Sequence, residues 1–183
     1  MTFSGQKLED LLVDHVSRTR FEDLPPAVID YCKLLIMDSL GVTFPGSHAP
    51  GCRDVAALFA KWENASGSSV LIYGSRTIPP MAALLNSMMM HALDFYDTLD
   101  ASALHTFVTV LPAALAAAES VGPVSGKTLI TALVLGVDMI CRLSLGITRP
   151  LSWIRTATCG AFGAATAAAK VIGMDREIGR AHV

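Results

Sequence analysis

The chain has 183 residues, enough for one domain with a substantial buried core. It is 52% hydrophobic and only 16% charged, against roughly 25% charged in ordinary soluble domains, so it reads either as a membrane protein or as a largely buried part of a larger body. Fourteen Lys and Arg against sixteen Asp and Glu give a net charge of −2 with no basic run, which excludes the electrostatic footprint of a nucleic-acid binder.

In chain order, Leu8, Leu11, Leu12 and Val16 fall on one face of a first helix. The opening "MTFSGQKLEDLL" has no cationic leader followed by an apolar stretch, so no secretion signal is expected. After "FEDLPP" a second helix is expected over about 27–40, with Pro26 in its first turn and Gly41 as its stop. "GVTFPGSHAPG" reads as a loop, "RDVAALFAKW" as a short helix and "SSVLIYGS" as the one short strand. From Ile78 onward four long Ala-rich helices are expected, at roughly 80–97, 106–120, 125–146 and 156–173.

The fold class is therefore all-α. The density of Ala and Gly predicts helices in close contact, and helices apolar nearly all round belong inside a larger body. A membrane span is not expected. Asp138 and Arg142 interrupt 128–148, and Ser, His, Thr and Pro112 dilute 101–118. The last seven residues, "EIGRAHV", match one frame of a short-read sequencing adapter when read back into codons. Residues 177–183 are accordingly set aside as read-through, His182 with them, leaving 1–176 as a partial helical domain whose native sequence is expected to continue past Arg176.

Several motifs carry little chemistry. Cys32, Cys52, Cys141 and Cys159 form no C-x-x-C and have no His at ligand spacing, so they read as buried free thiols in a reducing cytosol, and a cytoplasmic location is expected. "GPVSGKT" has three residues between its glycines where a P-loop has four, and Ser125 reads better as a helix cap. "MMM" at 88–90 reads as adaptable core packing. Asp138 and Arg142 form an i, i+4 pair.

One stretch departs from its surroundings. "HALDFYDTLDASALHTFVTVLP", 91–112, gathers His91, Asp94, Asp97, Thr98, Asp100 and His105 among Ala, Leu and Met. On a helix continuing to about 97, His91, Asp94 and Thr98 share one face, and Ser102 or Asp100 is placed to cap the next helix, near whose start His105 sits. Carboxylate beside imidazole suits general acid–base work, because burial and neighbours move either pKa toward neutrality. The competing reading is helix capping by the acids and a core role for the histidine. A metal site is disfavoured, since the run lacks the Gly and terminal Glu of an EF-hand and has no H-x-x-x-H.

With these residues in view, the chain resembles the MmgE/PrpD family, which includes 2-methylcitrate dehydratases, cis-aconitate decarboxylases and iminodisuccinate epimerases. "FEDLPPAVIDYCKLLIMDSLGV" is similar to the family's opening helices, and "AALLNSMMMHALDFYDT" to its A-A-x-x-N-G-x-x-x-H-A-L-D-F-D-D-T. "LHTFVTVLPAALAAAE", "SGKTLITALVLGVDMICRL" and "TATCGAFGAATAAAKVIGMD" resemble the blocks that follow, in the same order. The resemblance implies the N-terminal part of a large helical domain, a smaller α+β domain beyond Arg176, homodimers, small polycarboxylate substrates and no metal or organic cofactor. It puts Asp94, Thr98 and His105 in the catalytic positions, with His105 as acid–base group, Thr98 as donor to a substrate carboxylate and Asp94 as orienter or second acid–base group. His91, Asp97 and Arg155 are expected to bind substrate. The implied reaction is dehydration, as in 2-methylcitrate dehydratase. A decarboxylase, an epimerase and a non-catalytic helical scaffold are the alternatives. Three departures stand out: Tyr96 replaces the second acid of D-F-D-D-T, Ser87 the glycine of N-G, and Ile154 occupies the place of a histidine before T-A-T-C-G.

Overall fold

The computed structural model describes residues 7–176, so the segment set aside at 177–183 lies outside the described residues. Seven α-helices account for most of them: α1 (Leu8–Arg18), α2 (Pro26–Gly46), α3 (Cys52–Phe59), α4 (Pro79–His91), α5 (Phe107–Val121), α6 (Gly126–Gly146) and α7 (Arg155–Ile172). Two short strands, β1 (Glu63–Ser69) and β2 (Arg76–Thr77), pair antiparallel between α3 and α4. The all-α class holds.

α5 is the centre. Its Phe107, Val108, Val110, Leu111 and Ala114 are buried with Ala132 and Leu133 of α6, Ala167 and Val171 of α7 and Cys32 of α2. Small residues set these contacts, as the Ala and Gly content predicts. A Cβ on Gly136 would come within 2.8 Å of the Gly163 carbonyl, and one on Gly163 within 2.8 Å of the Gly136 carbonyl, so α6 and α7 cross backbone to backbone. Pro112 sits inside α5 and brings no N–H for the Val108 carbonyl four residues earlier. The Ser87 hydroxyl of α4 donates to that carbonyl at 2.7 Å instead. Serine at this position thus serves the break that the neighbouring helix contains.

α6 has the length and hydropathy of a membrane span, and 39% of its most apolar window is buried in the protein. Its buried residues, Ala132, Leu133, Gly136 and Ile140 among them, lie against α5 and α7. Ser125 caps it as expected, accepting from the Thr128 N–H at 3.1 Å. Asp138 pairs with Arg142 at 2.7 Å and also with His15 of α1 at 2.9 Å. Just beyond His15, the Lys170 ammonium donates to the carbonyls of Val16, Ser17 and Thr19 and ties the C-terminal end of α1 to α7. The four cysteines are unbridged, and burial raises each thiol, Cys32 to about 11.

Three elements depart from expectation. α2 runs through Gly41 to Gly46, because a glycine merely weakens a helix unless it takes positive φ, which Gly41 does not. The strand expected at 68–75 is largely a turn. β1 ends at Ser69, and 70–75 folds over with Ile72 and Gly74 at φ 68 and 72. Buried Asn86 holds this turn, accepting from the Leu71 N–H at 2.8 Å and donating to the Ser69 carbonyl at 2.9 Å, while the Tyr73 hydroxyl donates to the Ser47 carbonyl. The third departure is decisive for the site: α4 ends at His91, so "DFYDT" is loop and not helix.

Candidate active site

Between α4 and α5 the chain makes a compact loop over 92–106. It opens with a turn in which the Asp94 N–H donates to the His91 carbonyl at 3.1 Å and Asp94 takes φ 55, a left-handed conformation that aspartate tolerates better than most residues. Further on, Leu99 and Leu104 form an antiparallel bridge around a helical turn at Asp100–Ser102. Leu104 is fully buried beside Ile140 and Cys159 and anchors the bridge to α6 and α7. The bridge sets what faces what. One step outward from Leu99 and Leu104 are Thr98 and His105, and the next are Asp97 and Thr106.

Both outer pairs are in contact. The Asp97 carboxylate accepts from the Thr106 N–H at 2.8 Å, the Thr106 hydroxyl at 2.6 Å and the Phe107 N–H at 3.1 Å. It therefore caps α5 and complements the positive end of the helix dipole. Capping by Ser102 or Asp100, the expectation from sequence, gives way to Asp97, because the bridge brings residue 97 and not 100 or 102 opposite the helix start. His105 Nδ1 lies 2.8 Å from the Asp97 carbonyl oxygen and 3.3 Å from Thr98 Oγ1. A carbonyl only accepts, so Nδ1 carries a proton, and in the neutral ring the lone pair is on Nε2. The His105 N–H donates to Thr156 Oγ1 at 3.1 Å, which fixes the loop to the N-terminus of α7.

Tyr96 sits between the two imidazoles. Its ring centroid is 4.5 Å from that of His105 and 5.2 Å from that of His91, edge-on to both. Its hydroxyl donates to Asp94 Oδ1 at 2.8 Å and also touches His91 Nδ1. Burial raises its ionisation above the ordinary tyrosine value, helped by the hydrogen bond to Asp94 and the charges of Asp94 and Asp97. The phenol is thus a neutral donor. An open depression of about 320 Å³ adjoins the loop, lined by Asp94, Phe95, Tyr96, Asp97 and, from α2, Asp38.

His91, Asp94, Asp97, Thr98 and His105 are therefore brought together by the loop, and not by one helix face. Arg155 makes its contact elsewhere: Nη1 donates to the Ser144 carbonyl at the end of α6 at 2.7 Å, and no hydrogen bond or ion pair among the described residues joins it to the loop. Ile154 flanks α7 with 64% of its surface exposed. Asp38 escaped the sequence reading; its signal is an acid within the apolar run "LLIMDSLGV", but only the tertiary contact of α2 with the loop gives it meaning. Among the described residues no group of three His, Cys, Asp or Glu is arranged to hold a metal ion.

Residues 10–179 match the family model of the MmgE/PrpD N-terminal domain. A cis-aconitate decarboxylase-like protein of Aspergillus oryzae is 30% identical over 90% of this chain and 36% of its own length. Cis-aconitate decarboxylases of Aspergillus terreus and Homo sapiens are 29% and 30% identical, over 68% and 83% of this chain and 24% and 33% of theirs. The chain thus spans about a third of the length of these relatives.

Proposed function

Because the chain belongs to the MmgE/PrpD family, we propose that the full-length gene product is a cytoplasmic, homodimeric lyase that acts on a small polycarboxylate by acid–base chemistry of its own side chains, without metal or organic cofactor. The observation that supports it most is His105, whose Nδ1–H is committed to the Asp97 carbonyl, which leaves Nε2 to exchange a proton, and whose ring packs edge-on against Tyr96, one of the residues lining the open depression.

The proton chemistry is common to dehydration, decarboxylation and epimerisation, of which the first two are the lyase reactions. In dehydration a base takes a proton from the carbon next to a carboxylate, and the hydroxyl leaves as water. In decarboxylation carbon dioxide leaves its bonding pair on carbon, and an acid delivers the proton that quenches it. Relatives named as cis-aconitate decarboxylases support the second, and 2-methylcitrate dehydration is the other member of the pair. In either, Thr98 is assigned as hydrogen-bond donor to a substrate carboxylate and Asp94 as orienter. Asp97 is assigned to hold His105 and α5 in place.

Charge sets a condition on this reading. Asp38, Asp94 and Asp97 repel an anion, so the substrate needs positive partners. The N-terminus of α7, in contact with His105 through Thr156, supplies one, and Arg155, released from Ser144, a second. The other two thirds of the relatives' length is where further binding groups are assigned, and this chain alone is proposed to be inactive. The test is to assay the full-length gene product on cis-aconitate for release of carbon dioxide and on 2-methylcitrate for loss of water. His105→Ala is expected to cut turnover by about 10²–10⁴, the usual worth of a general acid–base group. Near-normal turnover in that variant removes His105 from the mechanism.

A further inference from the structure

The bonds around Tyr96 have an order that one proton decides. A phenol has a single O–H, and here it donates to Asp94 Oδ1, a carboxylate that accepts. The contact between the same oxygen and His91 Nδ1 then requires the imidazole to donate. When neutral, His91 is thereby fixed with its proton on Nδ1 and its lone pair on Nε2, the same tautomer that the Asp97 carbonyl imposes on a neutral His105. The two rings lie 6.5 Å apart, and both meet the ring of Tyr96. His91, Tyr96 and Asp94 form a chain in which each donor has its acceptor, and a neutral phenol is what that chain needs.

We propose that His91 is the second proton-exchanging group of this site, held in its working tautomer by Tyr96. The inference rests on the acid–base reading of His105 given above. A concerted dehydration moves two protons, one off carbon and one onto the departing hydroxyl, and two groups can carry them. His105 Nε2 takes the proton from the carbon next to the carboxylate, the electron pair of that bond forms the new double bond, and the C–O bond breaks. The departing hydroxyl takes the Nε2 proton of a His91 imidazolium and leaves as water, returning His91 to the neutral Nδ1–H form that Tyr96 holds. The side chain before α7, Ile154, exchanges no proton, and His91, the last residue of α4, supplies that capacity from the other end of the loop that carries His105. Tyr96, at a position where the family's motif carries an acid, is in this role a positioning residue.

The first readout needs no activity. Imidazole nitrogen resonances of the 183-residue chain should show His91 in the Nδ1–H tautomer when neutral, and Tyr96→Phe should move it toward Nε2–H while His105 stays unchanged. An Nε2–H tautomer of His91 in the unsubstituted chain overturns the proposal. The second readout compares His91→Asn and His105→Asn in the full-length gene product, since an asparagine amide keeps a donor near the Nδ1 position and removes Nε2. Both variants should lose about 10²–10⁴ in kcat with KM little changed. Near-normal kcat in His91→Asn alone overturns this inference and leaves His105 standing. Near-normal kcat in both overturns the acid–base reading itself.

Discussion

Asp97 shows how one side chain serves both folding and the site. Its carboxylate satisfies the first donors of α5, and its carbonyl sets the tautomer of His105. Hydrogen bonds to a charged group contribute about 1.5–3 kcal/mol, and removing a cap costs about 0.5–2. Asp97→Ala should therefore destabilise the chain by about 2–3 kcal/mol, and Asp97→Asn, which keeps one acceptor oxygen, by less. Thermal melts decide it, at roughly 2–4 °C per kcal/mol for a chain of this size. An unchanged melting temperature in Asp97→Ala would show that the cap carries no stability. Sequence identified Asp97 as part of a polar cluster and assigned it to substrate. Its partners lie nine and ten residues away across a bridge, a pairing that helical spacing does not contain.

Among the elements, α4 and α5 show what periodicity reveals and where it stops. Both helices are legible from their apolar content, and so is the close crossing of α6 and α7 from its glycines. The end of α4 is not, because "HALDFYDT" keeps apolar residues at helical spacing while Asp94 turns the backbone left-handed. The coupling of Ser87 to the Val108 carbonyl is equally silent in sequence, since it joins a hydroxyl on one helix to a bond missing from the next. Ser87→Ala should leave that buried carbonyl unsatisfied, at a cost of about 1–3 kcal/mol. In a Pro112→Ala background the backbone regains an N–H for that carbonyl, and denaturant titrations should show a markedly smaller penalty for the same change. Equal penalties in the two backgrounds would separate the serine from the proline.

For the molecule as a whole, the apolar composition finds its explanation partly in the core and partly on the surface. Along α2, Tyr31, Leu34, Met37 and Phe44 are 56–67% exposed, a contiguous side of a helix that soluble monomers seldom leave open. The isolated chain should accordingly self-associate as its concentration rises, measured by sedimentation, and Leu34→Lys with Met37→Lys should return it toward monomer. A monodisperse, cooperatively melting monomer at high concentration would contradict this.

Helix periodicity, small-residue density and the ordered motif blocks establish from sequence alone that this is an all-α chain of the MmgE/PrpD type with acids and imidazoles gathered near residues 91–105. Those are local signals, carried by residues within a turn or two of each other. The tertiary structure alone decides that the cluster is a bridged loop and not a helix face, that Asp97 caps α5, and that Asp38 joins the depression. It also decides that the Tyr96 ring meets both His91 and His105. Each of these depends on a backbone reversal or a contact between elements distant in the chain, where the side chains that meet are chosen by packing and not by spacing.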